Sequence, residues 1–140
     1  MLDAQGLIAL FKAEPAAMQV ELLIRAGDAK ICTLNLAEVL DILVRRDGFS
    51  ENEIRGLVDP LLQKEVQALP VTTELAFSAA MLRARHYHRR DRPLSLADCV
   101  ALAASLDVRR LATADALLAQ IAREEGVEVA GLPNALGIVP

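Results

Sequence analysis

Four acids in the 140-residue chain stand where chemistry is possible: Asp3, Glu38, Asp98 and Asp115. Asp3, Glu38 and Asp115 each follow a short apolar or β-branched run, and Asp98 opens a helical run that feeds the last of these. All four are expected in the first turn of a helix. If the strands run parallel, their carboxyl ends share one edge of the sheet, where open α/β sheets bind ligands. A set of hard oxygen donors without His or Cys selects Mg²⁺ or Mn²⁺. Such ions lower the charge of a phosphoryl group and acidify water. No Ser, Lys or His stands among the acids as nucleophile or base, and no Gly-rich phosphate loop is present. Phosphodiester hydrolysis is the reaction that this set fits.

Each acid alone also has a plainer reading. Asn35-Leu-Ala-Glu38 and Ser95-Leu-Ala-Asp98 have the spacing of helix caps, and acids are stabilised at helix N-termini. Asp98 resists that reading most. Its helix, from Leu96 through Ala104, is apolar nearly all round and should be buried. An unpaired carboxylate there is costly unless it is neutralised or bound to a cation. Convergence explains together what four separate caps leave as coincidence.

The elements that would position these acids alternate. Strands are expected at Met1-Leu2, Lys30–Thr33, Val66–Val71, Arg110–Thr113 and Val127–Val129. Helices are expected over Gly6–Ala13, Ala16–Ala26, Asn35–Arg46, about 51–65, Thr73 to about Arg90, Ser95 to about Leu106, and Asp115–Glu125. Ser50-Glu51-Asn52-Glu53 is a capping box, and Pro60 should kink the helix that it opens. This rhythm implies α/β architecture, with a mostly parallel sheet of five strands covered by helices on both faces. The length suits one domain, 1–140. Hydrophobic residues are 54% and aromatics 3%, so the core must be aliphatic. Cys32 and Cys99 are far apart and read as small buried hydrophobes in a reducing compartment. Neither a membrane span nor a signal peptide is visible, so a soluble, cytoplasmic protein is expected. A net charge of −4 speaks against nucleic-acid binding, but less so if clustered acids are neutralised by cations.

Leu2-Asp3-Ala4 with Leu7-Ile8-Ala9-Leu10-Phe11 and Glu14-Pro15 resembles the opening of PIN-domain proteins, in particular VapC-type toxins. Leu36-Ala37-Glu38-Val39-Leu40, the segment Leu94 to Ala103 around Asp98, and Leu111-Ala112-Thr113-Ala114-Asp115 resemble their later acidic motifs. The resemblance spans nearly the whole chain. It implies a three-layer α/β/α sandwich and endonucleolytic RNA cleavage with Mg²⁺ or Mn²⁺, leaving a 5′-phosphate. It also implies a homodimer and a cognate antitoxin. In that pattern Asp3, Glu38 and Asp98 are the core metal ligands. Asp115 is the fourth acid, and Thr113 is the small hydroxyl that positions water or metal, or else a helix N-cap. Two departures stand out. Gln5-Gly6 replaces the usual small hydroxyl pair after the first Asp. Only two residues precede Asp3, so the first strand is very short or the natural start lies upstream, in which case an extension would add stability.

The run Arg83, Arg85, His86, His88, Arg89, Arg90, Arg92 is either a solvated helix end or a grip on RNA phosphates, with Arg89 and Arg90 the candidate contacts. His86 and His88, two apart on a helix, do not make a metal pair. Tyr87 could stack on a base, though packing or exposure accounts for it too. Leu57, Leu61, Leu62, Leu75 and Met81 are either core or subunit interface. Two non-nuclease readings remain. An acidic receiver-type switch needs a late Lys that is absent near Asp115 and Val127. A PIN-like binding module without activity is disfavoured by the presence of all four acids.

Overall fold

The computed structural model describes all residues, 1–140. In chain order the elements are α1 Ala4–Phe11, α2 Ala17–Arg25, β1 Ala29–Cys32, α3 Thr33–Arg45, α4 Glu51–Lys64, β2 Val66–Leu69, α5 Thr73–His86, α6 Leu96–Val108, β3 Arg110–Thr113, α7 Ala116–Glu124 and β4 Glu128–Gly131. The expected α/β alternation is present. A continuous five-stranded sheet is not. Two parallel pairs form instead, β1 with β2 and β3 with β4. Between them lies Leu2, which makes one parallel bridge to Ile31 and one to Ala112. The segment Met1–Asp3 joins the two pairs through these bridges.

That joint is well hydrogen-bonded. Leu2 N donates to the Lys30 carbonyl at 2.8 Å, Ala112 N donates to the Met1 carbonyl at 2.8 Å, and Asp3 N donates to the Ala112 carbonyl at 3.2 Å. The terminal ammonium of Met1 reaches the Arg110 carbonyl at 2.9 Å.

Side-chain alternation along the strands separates two cores. Leu2, Ile31 and Ala112 join one cluster with Leu7, Val20 and Val39. Their neighbours Cys32 and Leu111 join the other, with Leu102, Leu118 and Ile121, and Met1 packs against it. Successive strand residues point to opposite faces, so α1–α4 contribute to one helical layer and α5–α7 to the other. The layers are aliphatic, as the composition requires. Leu61 and Leu62 pack against the first core and Leu75 against the second, whereas Leu57 and Met81 are exposed. No helix is long and apolar enough to cross a membrane.

Two local expectations change. Helix α3 begins at Thr33 directly after Cys32, not at Asn35. Helix α5 ends at His86, not Arg90: His88 and Arg92 exchange backbone hydrogen bonds at 2.9 and 3.0 Å, which closes a tight turn with Arg89 and Arg90 at its tip. Helix α4 keeps its expected extent, Glu51–Lys64 with Pro60 inside it, and its start is fixed by the expected Ser50–Glu53 capping box.

Leu2 is 2% exposed and Leu22 is 61% exposed. Leu2→Ala should therefore cost about 2–5 kcal/mol, while Leu22→Ala should stay within about 0.5 kcal/mol. Urea denaturation of the two variants checks this. A small Leu2 effect would mean that the joint is not what holds the two strand pairs together.

Candidate active site

The chain direction at Leu2, β1 and β3 is common, so their carboxyl ends open on one edge. Asp3 stands at this edge as the N-cap of α1, and Thr113 ends β3 beside it. Asp3 is 3% exposed. Its Oδ1 accepts from Gly6 N at 2.9 Å and its Oδ2 accepts from the buried Thr113 hydroxyl. The same hydroxyl oxygen accepts from Asp115 N at 3.0 Å. Thr113 is thus a relay between two acids and not the cap of α7. That cap is Asp115, whose Oδ1 accepts from Leu118 N at 2.7 Å.

Asp98 sits on the first turn of α6. It closes a capping box: Ser95 N donates to Asp98 Oδ2 at 2.9 Å and Asp98 N donates to Ser95 Oγ at 3.0 Å. Residues Cys99–Ser105 are buried, as expected for an apolar helix, but the carboxylate itself is half-buried and partly satisfied. Burial alone therefore does not demand a cation at Asp98. Because α3 starts early, Glu38 lies in its second turn and caps nothing.

The capping interactions engage one oxygen each of Asp98 and Asp115 and leave the other free. No Lys, Arg or His pairs with any of the four acids. The ion pairs of the chain all involve other carboxylates. Burial pushes Asp3 up to about 7, against the lowering effect of the Thr113 and Gly6 hydrogen bonds, and the charges of Asp98 and Asp115 push the same way. Glu38 is also held above the usual carboxylate range, first by burial, then by Asp98 and Asp41. These mutual influences tie Asp115 and Asp98 to Asp3, and Asp98 to Glu38. They do not amount to a closed chelate: no three His, Cys, Asp or Glu side chains come together closely enough to hold a metal ion as they stand.

The sequence reads Asn35 only as a helix cap, and it gives no sign of a cavity beside Asp115. Asn35 is 1% exposed, and its Nδ2 donates to the Ala97 carbonyl at 3.1 Å. Its signal was a polar residue in an otherwise apolar helix start. A cavity of about 270 Å³ opens next to Asp115, with Gln5, Lys12, Arg46 and Asn134 in its walls. Its residues come from α1, α3 and the C-terminal tail, so no spacing announces it.

A comparison with protein families matches residues 1–130 to the PIN domain. The chain belongs to the PIN domain family. A comparison with curated proteins found no match. PIN domains are in general nucleases, and PIN-domain nucleases typically use divalent metal ions. The donor set here suits such an ion chemically: four hard carboxylates without a cationic partner, at least two of them with a free oxygen.

The basic run divides. Arg85 pairs with Glu125 at 3.1 Å, Arg92 forks onto Glu124 at 2.7 and 2.8 Å, and Arg83 reaches the Leu94 carbonyl at 3.3 Å and stacks over Tyr87. His86 Nε2 lies 2.6 Å from Glu125 and His88 Nδ1 lies 2.8 Å from Asp91, so the two histidines do serve different partners. Arg89 and Arg90 are exposed. Arg92 anchors their turn to the last turn of α7, whereas Asp115 caps the other end of that helix. At 1.5 Å per residue the two ends are roughly 13 Å apart.

Because Asp3 keeps its proton to about pH 7 when folded and loses it near 3.8 when unfolded, the unfolded chain binds fewer protons in between. Stability should fall as pH rises through that window. Glu124, lowered to about 2 by Arg92 and Gln120, acts the opposite way but below pH 4.5. In EDTA, the Tm of the wild type should drop by roughly 5 °C between pH 5 and 7.5, and Asp3→Asn should remove most of the drop. Calorimetry at several pH values reads both. A flat wild-type profile would mean that the Asp3 carboxyl is solvated.

Proposed function

We propose that this chain is a metal-dependent endoribonuclease that hydrolyses RNA phosphodiester bonds with Mg²⁺ or Mn²⁺. One observation supports it most: Asp3, Glu38, Asp98 and Asp115 gather at one sheet edge with no cation of the protein to offset them, and the innermost is pushed up to about 7. Natural folds tolerate uncompensated charge of one sign mainly where function needs it.

In this reading Glu38, Asp98 and the Asp3 carboxylate hold the ion, with Asp115 as the fourth acid. When bound, the ion lowers the charge of the scissile phosphate and acidifies water. The chain's own groups do the rest. The Thr113 hydroxyl fixes the Asp3 carboxylate against rotation, and Thr113 also fixes the start of α7, hence Asp115. The capping box holds Asp98 Oδ2 and leaves Oδ1 without a partner. Glu38, with a longer side chain and no donor engaging it, is the acid that would complete the ligand set. Asp3 would have to give up its proton to join that set. Arg89 and Arg90, on a turn set back from Asp115, suit phosphates flanking the one that is cut.

The one-domain reading, 1–140, goes with this. So do the finer roles that the resemblance suggests: toxin of a type II toxin–antitoxin pair of the VapC kind, a homodimer, a cognate antitoxin bound over the acid edge, and action in the cytoplasm. The alternative is a non-catalytic PIN module that binds RNA or protein, which the open geometry of the four acids favours.

Incubation of a labelled RNA panel with Mn²⁺, Mg²⁺ or EDTA separates the two. Cleavage should require metal and fall by at least about 10²-fold in Asp98→Asn, a loss in the range for removing one electrostatic group from a site. A folded, antitoxin-free wild type that cuts nothing but binds RNA would favour the module. Separately, Arg89→Ala with Arg90→Ala should weaken RNA binding and flatten its salt dependence by roughly 0.7 in log–log slope per lost phosphate contact. An unchanged slope would remove the turn from the interface.

A further inference from the structure

The side chain of Asn35 is buried between the first turns of α3 and α6. Its Nδ2 donates to the carbonyl of Ala97, the residue just before Asp98. That contact fixes the amide's orientation, because the reverse placement would set two acceptors face to face. The oxygen is therefore the remaining atom. Asn35 Oδ1 is the one buried side-chain polar atom in the chain without a hydrogen-bond partner. A buried acceptor left unpaired costs free energy, and in native proteins it calls for a specific explanation.

The surroundings supply one. Glu38 lies one turn further along α3, and residues three apart share a helix face. Across from that face is the first turn of α6, where Asp98 directly follows Ala97, the residue that Asn35 holds. The unpaired oxygen thus sits with two carboxylates that likewise lack a cation. Glu38 and Asp98 cannot satisfy it, since ionised carboxylates only accept. What all three lack is a donor or a positive charge.

We propose that Asn35 is a positioning residue for a divalent cation. Its Nδ2 clamps α3 to α6 so that Glu38 and Asp98 stay paired, and its Oδ1 receives a hydrogen bond from the hydration shell of the ion they hold. This rests on the metal-dependent reading above and extends it to a group outside the four acids.

The test is Mn²⁺ binding by titration calorimetry on the full chain at pH 7.5, together with Tm in EDTA and in Mn²⁺. The proteins are wild type, Asp98→Asn, Asn35→Ala and Asn35→Asp. Wild type should bind and Asp98→Asn should not. Asn35→Ala should weaken Mn²⁺ about tenfold or more, as loss of groups behind metal ligands does, and should shrink the Mn²⁺-induced rise in Tm. Asn35→Asp loses the donor to Ala97 but keeps an acceptor and adds a negative charge toward the cation, so its apo Tm should fall while its Mn²⁺ affinity should exceed that of Asn35→Ala. A merely structural Asn35 predicts another pattern: both variants lose apo stability and both keep wild-type affinity, which would overturn the proposal and leave the nuclease reading intact. If Asn35→Ala does not fold, Asn35→Ser is read in the same way. Wild type that binds no Mn²⁺, or binding that survives Asp98→Asn, would instead overturn the metal reading itself.

Discussion

The structure depends on one residue held from both sides. Leu2 bridges Ile31 on β1 and Ala112 on β3, and without it the two parallel pairs have no backbone connection to each other. The same joint determines the chemistry. Once Leu2 is locked between the pairs, Asp3 must emerge at their carboxyl edge, in a place that is 3% exposed. The load falls on the backbone of Met1, Leu2 and Asp3, and the last of these is the acid that burial disturbs most.

What keeps a group of like charges from prising this edge apart is the helices behind it. Asp3 caps α1, Asp115 caps α7, and Asp98 closes the box at the start of α6. Each therefore lies at the positive end of a helix and accepts at least one backbone N–H. Such placement stabilises a carboxylate by about 0.3–1 kcal/mol, and the cap itself by about 1 kcal/mol. Capping and metal binding are thus not rival accounts of these residues. A cap engages some of a carboxylate's lone pairs, fixes its direction and leaves the rest for a ligand. Glu38 has no such support, and it is the acid on which closure of a site would depend.

Much of this was legible in the sequence. The alternation of apolar runs and helical spacing located every strand within a few residues, and the Ser50 and Ser95 boxes were readable because their chemistry is local. The misses have physical reasons. Asn35 has the side chain of a cap, which drew the start of α3 two residues late, but strand β1 passes into the helix at Cys32 with no side-chain cap. The run from Arg83 to Arg92 has helical composition throughout, yet the exchange between His88 and Arg92 ends α5 early. Nothing in the composition forecasts that pairing. A sheet joined by one residue is equally hidden, because pairing is a long-range property. So is the separation of the four acids: their spacing put them at one edge, but not within chelating distance of one another.

The charge of the whole chain makes sense in the same terms. Nineteen acids face fifteen Lys and Arg, and the four edge acids equal the whole excess. Elsewhere acids and bases are matched in number and often in space, as in the Arg45–Asp41, Arg55–Glu51 and Arg92–Glu124 pairs. The net charge of −4 is therefore not a diffuse negative field that repels a phosphate backbone from every side. The formal excess equals the four edge acids in number, and at that edge it is smaller by as much as Asp3 stays protonated. Two divalent cations would cancel it arithmetically, and even one would halve it. In the proposed reading, an edge that turns a polyanion away when empty would admit it when loaded, so metal binding would be a condition for substrate binding as well as for cleavage.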